Sequence, residues 1–419
     1  MHDGASEPVP SSQGGRMNII DSDSKVDLLF QLKWNSTNST HTDCYQAIQA
    51  NIWRDIFPTA LSERLIGAQA GDNVILEFTG GQVISPYSKR ELKEIKHSQF
   101  SSDRGQKSAV RPQVGRFYPK GVLKDMSGVF KDNIAPFRCV GINNGHLWVD
   151  FNHPLSDKDL RLSTIIGKVE PKRIERGGTS IDWIERLTQG PGMQARWRDV
   201  ASDFLSASAF ERQDSQADDA FYAKPRLVQH LDDTAISMVK NTYDRFLSDG
   251  MQVLDLMSSW QSHIPERHRL DRVIGLGLNQ DELRHNPQLD QYVVHDLNKD
   301  SGLPFDTGTF DVVLCTVSVE YLTDPFSVFS EVARVLKPGG TFVVTFSNRW
   351  FPTKSIRIWA ELHEFERMGL VLEYFMQSGK FEDLHTYSMR GLPRPHDDKY
   401  FPEFVYSDPL YAVWGSKAV

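Results

Sequence analysis

Between Gly302 and Phe346 the chain spells out one strand, one helix and one strand in order, and that unit restricts what the rest can become. A turn rich in Pro, Asp and Gly (Gly302-Leu-Pro-Phe-Asp-Thr-Gly308) feeds the apolar run Phe310 to Cys315. Asp324 and Pro325 then supply an N-cap and a preset first turn. The helix they open carries Phe329, Val332, Ala333, Val335 and Leu336 at helical spacing. Pro338, Gly339 and Gly340 end it before the strand Thr341 to Phe346. Two strands joined in this way run parallel, and a sheet of parallel strands needs helices on both faces.

The flanking sequence extends the unit. Gln252 to Leu256, Arg272 to Asn279 and Gln291 to Asp296 read as further strands. A leading helix carries Leu227, Val228, Leu231, Ala235, Val239, Tyr243, Phe246 and Leu247, with Gly250 as its stop. Gln280 to His285 is a short helix ended by Pro287. Thr353 to Met368 reads as one more helix, and Leu370 to Phe375 and Leu410 to Trp414 as two last strands. Residues 225–419 are therefore expected to form an α/β, Rossmann-like doubly wound domain.

Residues 25–171 follow another rule. Val26, Leu28, Phe30 and Leu32 alternate with polar residues, as do Val74, Leu76 and Phe78, with Gly-Asp and Gly-Gly turns between such runs. This predicts a mostly β domain. The polar run Ser101 to Val110 reads as a mobile loop, residues 1–24 as a disordered tail, and 172–224 as a helical connector packing on one domain, with Trp183 and Trp197 as anchors. A chain of 419 residues with 39% hydrophobic content is long enough for two cores.

A formal charge of -8 argues against nucleic acid as a partner. Cys44, Cys139 and Cys315 are too few and too scattered for a disulfide framework or a thiolate metal site, which predicts a reducing, cytoplasmic setting and no metal. The first residues lack the apolar segment of a secretory leader, and no stretch reaches the roughly eighteen apolar residues that a membrane span takes, so no membrane partner is expected.

Leu303-Pro-Phe through Val313, followed by Glu331-Val-Ala-Arg-Val-Leu-Lys-Pro-Gly-Gly340, resembles the motifs of class I S-adenosylmethionine-dependent methyltransferases. The resemblance implies S-adenosyl-L-methionine as cofactor and a small molecule or a protein or peptide as methyl acceptor. It places Asp255, Met257, Ser258, Ser259, Asn279, Asp296, Leu297 and Thr316 around the cofactor, and Trp260, Glu320, Asn348 and Arg349 around the acceptor. Glu320 and His295 are the candidate general bases, and no fixed catalytic residue is implied. The chain departs from the family in two places. The glycine-rich loop is replaced by Met257-Ser-Ser-Trp-Gln-Ser-His263, whose β-carbons narrow the cleft, and the ribose-binding acid falls on Gly277. Two readings stay open: an active methyltransferase, or a binding protein of isomerase or chaperone type with an eroded methyltransferase domain.

In the first half, Lys25 to Trp34, Leu65 to Asp72, Pro86 to Phe100, Val114 to Tyr118 and Leu147 to Leu160 resemble the SlyD-type FKBP peptidyl-prolyl isomerases, in which a small β subdomain interrupts the flap. The resemblance implies an aromatic-lined proline pocket, here assigned to Tyr87, Phe100, Phe151, His153 and Leu162.

Overall fold

The computed structural model describes residues 19–101, 110–170, 177–205 and 208–419. Its first strands, β1 (Lys25–Asn35) and β2 (Ser39–Asn51), form an antiparallel hairpin. Val26, Leu28, Phe30, Leu32 and Trp34 all enter one core, as a strand with a single buried face requires. Helix α1 (Thr59–Leu65) buries Leu61 and Leu65 in that core, and β3 (Asn73–Phe78) adds Val74, Leu76 and Phe78. The chain then leaves to build a four-stranded sheet from β4 (Leu92–Lys96), β5 (Phe117–Pro119), β6 (Pro136–Asn143) and β7 (His146–Asp150), in the order β4-β7-β6-β5. This insert has its own core around Phe100, Tyr118, Phe137, Leu147 and Val149. The chain returns as β8 (Leu160–Glu170), antiparallel to both β1 and β3.

Two short helices follow, α2 (Trp183–Thr188) and α3 (Asp218–Tyr222). The connector packs on both halves rather than on one. Trp183 and Leu187 enter the first core, while Met193, Phe204 and Ala209 enter the core of the second half. Trp183 is fixed by donating to Asp55 Oδ2 at 3.2 Å, and Trp197 by donating to Asp150 Oδ2 at 3.1 Å.

The second half comprises α4 (Asp233–Tyr243), β9 (Gln252–Leu256), β10 (Arg272–Gly277), α5 (Gln280–Arg284), β11 (Gln291–Val294), β12 (Phe310–Thr316), α6 (Pro325–Val335), β13 (Leu336–Phe346), α7 (Arg357–Glu361), α8 (Glu364–Ser378), β14 (Phe381–Arg390) and β15 (Leu410–Lys417). Strands β11-β10-β9-β12-β13 are parallel, and β15 runs antiparallel between β13 and β14. Val253, Val312, Leu314 and Val343 pack on α4, whereas Leu254, Val313, Cys315 and Val344 pack on α6 and α8. The α/β expectation for this half therefore holds: successive strand residues are buried on opposite faces.

The halves share one sheet. Strand β14 pairs in parallel with β2, which makes an eleven-stranded sheet in the order β11-β10-β9-β12-β13-β15-β14-β2-β1-β8-β3. Buried polar pairs line the seam. His41 Nδ1 meets Thr386 Oγ1 at 2.7 Å, and Asp43 accepts from Ser388, Trp34 and Gln194. Among the described residues no helix is long and apolar enough to cross a membrane.

Several boundaries differ from the sequence reading. Of the expected tail, residues 1–18 lie outside the described residues, but Ile20 is buried and pairs with Ala68 O at 2.9 Å, so 19–24 belong to the fold. The loop expected to be mobile lies, at 102–109, outside the described residues. The leading helix begins only at Asp233, because Asp232 caps it by accepting from Ala235 N; Leu227 and Val228 are exposed before it. The helix expected over Thr353–Met368 is divided into α7 and α8. The strand expected at Leu370–Phe375 is the middle of α8, where every residue from Phe365 to Phe375 is buried. A helix buried all round carries a continuous apolar run, which periodicity does not distinguish from a buried strand. The last strands are β14 and β15. The Lys-Pro-Gly-Gly run follows the end of α6 and lies within β13.

Candidate active site

From β9 the chain steps to β10 and β11 on one side, then crosses over to β12 on the other. The sheet order reverses there, and a crevice opens beyond the carboxyl ends of the strands. A cavity of ≈ 370 Å³ occupies it, within the range of small-molecule sites, about 300–1,000 Å³. Asp255, Met257, Ser258, Ser259, Asn279, Asp296, Leu297 and Thr316 all line it.

The loop after β9 has a backbone shape suited to glycine, built without glycine. Met257 has φ 59° and His263 φ 55°; opposite them, Val317 after β12 has φ 46°. A left-handed backbone at a residue with a β-carbon costs about 1–2 kcal/mol, and for β-branched Val317 it is a true outlier. Hydrogen bonds hold both turns: Ser258 N donates to Leu276 O at 2.8 Å, and Val317 N to Thr345 O at 2.7 Å. The close approach moves to Gly277, where a Cβ would lie 2.2 Å from Ser258 O. The glycine thus lies in the strand beneath the loop rather than in the loop.

Asp255 borders the cavity but turns inward. It is 2% exposed, accepts from Ser258 Oγ at 2.5 Å and from Ser262, and burial pushes its carboxyl up to about 7 despite those bonds. Asn279 is equally engaged. Its Oδ1 caps α5 by accepting from Asp281 N and Glu282 N, and its Nδ2 donates to Tyr222 O at 2.7 Å. It lines the cavity as assigned, but the helix cap uses its oxygen. The polar group facing the cleft here is Glu282, which accepts from Ser259 Oγ and Arg226 N, both at 2.7 Å. The spacing Asn279-x-x-Glu282 signals a helix start and was the available warning. Asp296 accepts from Asn298 N at 3.0 Å and keeps Oδ2 3.6 Å from Lys299. Thr316 Oγ1 contacts Tyr243 OH at 2.5 Å.

The acceptor residues divide. Trp260 and Arg349 line the cavity; Glu320 and Asn348 do not. Trp260 folds out as a wall, its Nε1 donating to Val228 O at 3.3 Å. Arg349 donates to Asp408 Oδ1 at 3.0 Å and stacks 4.7 Å from the Tyr400 ring. Asn348 is exposed. Glu320 is 1% exposed beneath the site, with Oε2 unpartnered and its carboxyl pushed up to about 8 by burial. Its place after β12 suggested a base, but the short turn at Val319–Tyr321 points it into the core. His295 lines the cavity, with Nε2 2.7 Å from Asp300 O. Sequence reasoning missed Tyr222, Arg226, His230, Glu282 and Tyr321, which complete the wall. Arg226 and His230 lie on a loop, and Tyr222, Glu282 and Tyr321 on helical turns of three to five residues, too short to carry a periodic signal.

The five residues assigned to the proline pocket do not line one cavity together, although Tyr87 and His153 share a small one of ≈ 50 Å³. Phe100 and Phe151 pack with the insert, Leu162 lies in the core under β1, and Tyr87 sits beneath Arg198 at 5.1 Å. His153 alone borders a groove of ≈ 1,370 Å³, walled by Phe57, Phe78, Ile84, Phe117, Met193 and Leu362. Burial holds its imidazole down at about 4, and its Nδ1 accepts from Leu155 N at 3.1 Å, which marks it as a turn residue.

Compared with known proteins, residues 259–344 match the family described as "Methyltransferase domain". This segment runs from the loop after β9 through most of β13, and the match supports S-adenosyl-L-methionine as the cofactor of the second half. A curated relative, the sterol 4-C-methyltransferase of Caenorhabditis elegans, is 45% identical over 42 residues, 10% of this chain and 13% of that protein. The chain thus spans about an eighth of that relative's length. Among solved structures, the S-adenosylmethionine dependent methyltransferase from Mesorhizobium loti is 16% identical, covering 42% of this chain and 96% of that one, with TM-score 0.30. The SAM dependent methyltransferase from Archaeoglobus fulgidus is 15% identical, covering 43% and 94%, with TM-score 0.32.

Proposed function

We propose that the protein is an S-adenosylmethionine-dependent methyltransferase whose cofactor lies across the carboxyl ends of β9 to β12. The observation that carries this reading is the convergence of the eight sequence-assigned cofactor residues on one cavity at the switch point. The residues suit the group. Asp296 and Glu282 offer carboxylate oxygens to hydroxyls on the β10 and β11 side, Leu297 and Leu276 offer apolar contact, and the strained turns at Met257 and Val317 present backbone toward the cleft. When bound, the cofactor supplies an activated methyl group on a sulfonium. The chain's own work is then to align an acceptor and to exclude water, which suits a wall built from Tyr222, Trp260, Tyr321 and Phe351. The sterol specificity of the curated relative is not carried over, since the shared stretch is 10% of this chain.

Calorimetric titration with S-adenosylmethionine and S-adenosylhomocysteine tests the reading. Micromolar binding, weakened at least tenfold in Asp296→Ala, is expected. No binding by the wild type, with binding appearing in Trp260→Gly, would leave a binding protein with a closed cleft.

A second reading applies to the first half, where the antiparallel β3-β8-β1-β2 array with an insert between β3 and β8 supports an FKBP-like module. The groove beside His153 is then its peptide site, with Phe57, Phe78 and Ile84 excluding water from a prolyl amide, although these are not the residues assigned from sequence. A proline-limited refolding assay with Phe78→Ala as control tests it; equal rates with and without the protein dispose of the isomerase.

A further inference from the structure

Arg226 enters the cavity from the segment between α3 and α4. Its guanidinium rests among three rings, 4.4 Å from the centroid of Phe221, 5.4 Å from Phe351 and 5.5 Å from Tyr222. Nη2 donates to Phe221 O at 3.0 Å, but Nη1 is buried and has no hydrogen-bond partner. Among the described residues no carboxylate pairs with this guanidinium. Glu282, the nearby acid, accepts from the Arg226 backbone instead. Of the other cations, Arg349 is answered by Asp408, and Lys354, behind the wall, by Asp214 and Asp218, while Lys399 borders the cavity over the Tyr400 ring at 4.9 Å. A buried charged donor without an acceptor carries a desolvation cost that an anionic ligand would relieve.

The position of this group selects the ligand. Asn279 and Asp296 follow β10 and β11 on one side of the switch point; Tyr321 and Phe351 follow β12 and β13 on the other. The Arg226 backbone is held to the first side, its N–H donating to Glu282 at 2.7 Å, and its guanidinium reaches across to Phe351 of the second, where the rings beside it offer flat apolar faces. Resting on the methyltransferase reading above, we propose that this half of the cavity takes a planar, apolar acceptor bearing a carboxylate. The carboxylate sits on Arg226 Nη1 and the planar body against Tyr222, Tyr321 and Phe351. Arg226 is a positioning residue for the acceptor, and a guanidinium is suited to this because its N–H fork matches a carboxylate.

The test is calorimetric titration of the full chain, saturated with S-adenosylhomocysteine, with 1-naphthoate and with its neutral isostere 1-naphthamide. Naphthoate should bind at least tenfold more tightly than the amide, Arg226→Gln should abolish the difference, and Arg226→Lys should keep part of it. The lysine variant decides the matter if the glutamine variant does not fold. Equal affinity for acid and amide, no binding of either, or a preference unchanged in both variants overturns the proposal. So does a tenfold loss of S-adenosylhomocysteine affinity in Arg226→Gln with 5′-methylthioadenosine unaffected, since Arg226 would then serve the cofactor's own carboxylate. If the wild type does not bind S-adenosylhomocysteine, the methyltransferase reading fails by itself, and the acid-over-amide preference measured without it still decides the role of Arg226.

Discussion

The Ser388 hydroxyl on β14 donates to the Asp43 carboxylate on β2 at 2.8 Å, across the strand pairing that joins the two halves into a continuous sheet. Trp34 Nε1 donates to the same carboxylate at 2.8 Å, so one buried acid ties a first-half hairpin to the edge of the second-half sheet. Asp43→Ala leaves these donors buried without an acceptor, at about 1–3 kcal/mol each. Differential scanning calorimetry should show one transition for the whole chain, shifted down by several degrees in the variant. A first-half transition that moves alone would mean the seam does not couple the halves.

Gly277 lies under the loop after β9, and a Cβ there would meet Ser258 O at 2.2 Å. Gly277→Ala is expected to displace the loop, reducing S-adenosylhomocysteine affinity more than tenfold while far-ultraviolet circular dichroism stays unchanged. Unaltered affinity would show that the loop shape does not matter for binding.

Met257 has φ 59°, where a glycine has no steric penalty. Met257→Gly should therefore keep the melting temperature within a few degrees of wild type, relief of about 1 kcal/mol of strain offsetting lost packing. Met257→Val should lower it clearly, because branching at Cβ disfavours this backbone further. The reverse order in urea denaturation would contradict the assigned geometry.

Among the described residues no cation is bonded to Glu320, whose Oε2 has no hydrogen-bond partner, and burial pushes its carboxyl from an ordinary 4.5 up to about 8. The folded chain then holds a proton across that window that the unfolded chain has released, so this group's contribution to stability falls as the pH rises from about 4.5 to 8. Glu320→Gln removes that slope. Little change is expected at pH 5 and a gain of order 1–4 kcal/mol at pH 9, each pKa unit being worth about 1.4 kcal/mol. Parallel stability curves from pH 5 to 9 would mean that Glu320 ionises normally.

Local signals in the sequence reached far into the second half. Asp324 caps α6 with Pro325 in its first turn, as the two residues imply, and β9 runs from Gln252 to Leu256 where its apolar run lies. The residues assigned to the cofactor converged because each stands at the end of a strand, and strand ends at a switch point share one crevice. Glu320 and Leu370 to Phe375 were misplaced, and Asn279, which lines the cavity as assigned, has its oxygen taken by a helix cap, for a common reason. A side chain's type does not tell whether it caps a helix, faces the core or lines a cleft; the packing of neighbouring segments decides that.

What the sequence by itself determined is the existence of most elements and part of their local chemistry: alternation that makes β1 and β3 strands, the cap that starts α6, and the ordered motifs from Leu303 to Gly340. Tertiary structure alone decided that the halves share a sheet through β2 and β14, that Met257 and Val317 take left-handed backbone, and that Arg226 lines a cavity with one buried N–H group left without a partner. Periodicity and capping act within a few residues and so are written locally. Pairing between residues 43 and 388, or the burial of one guanidinium nitrogen, depends on which distant surfaces exclude water together, and that is settled only when the whole chain packs.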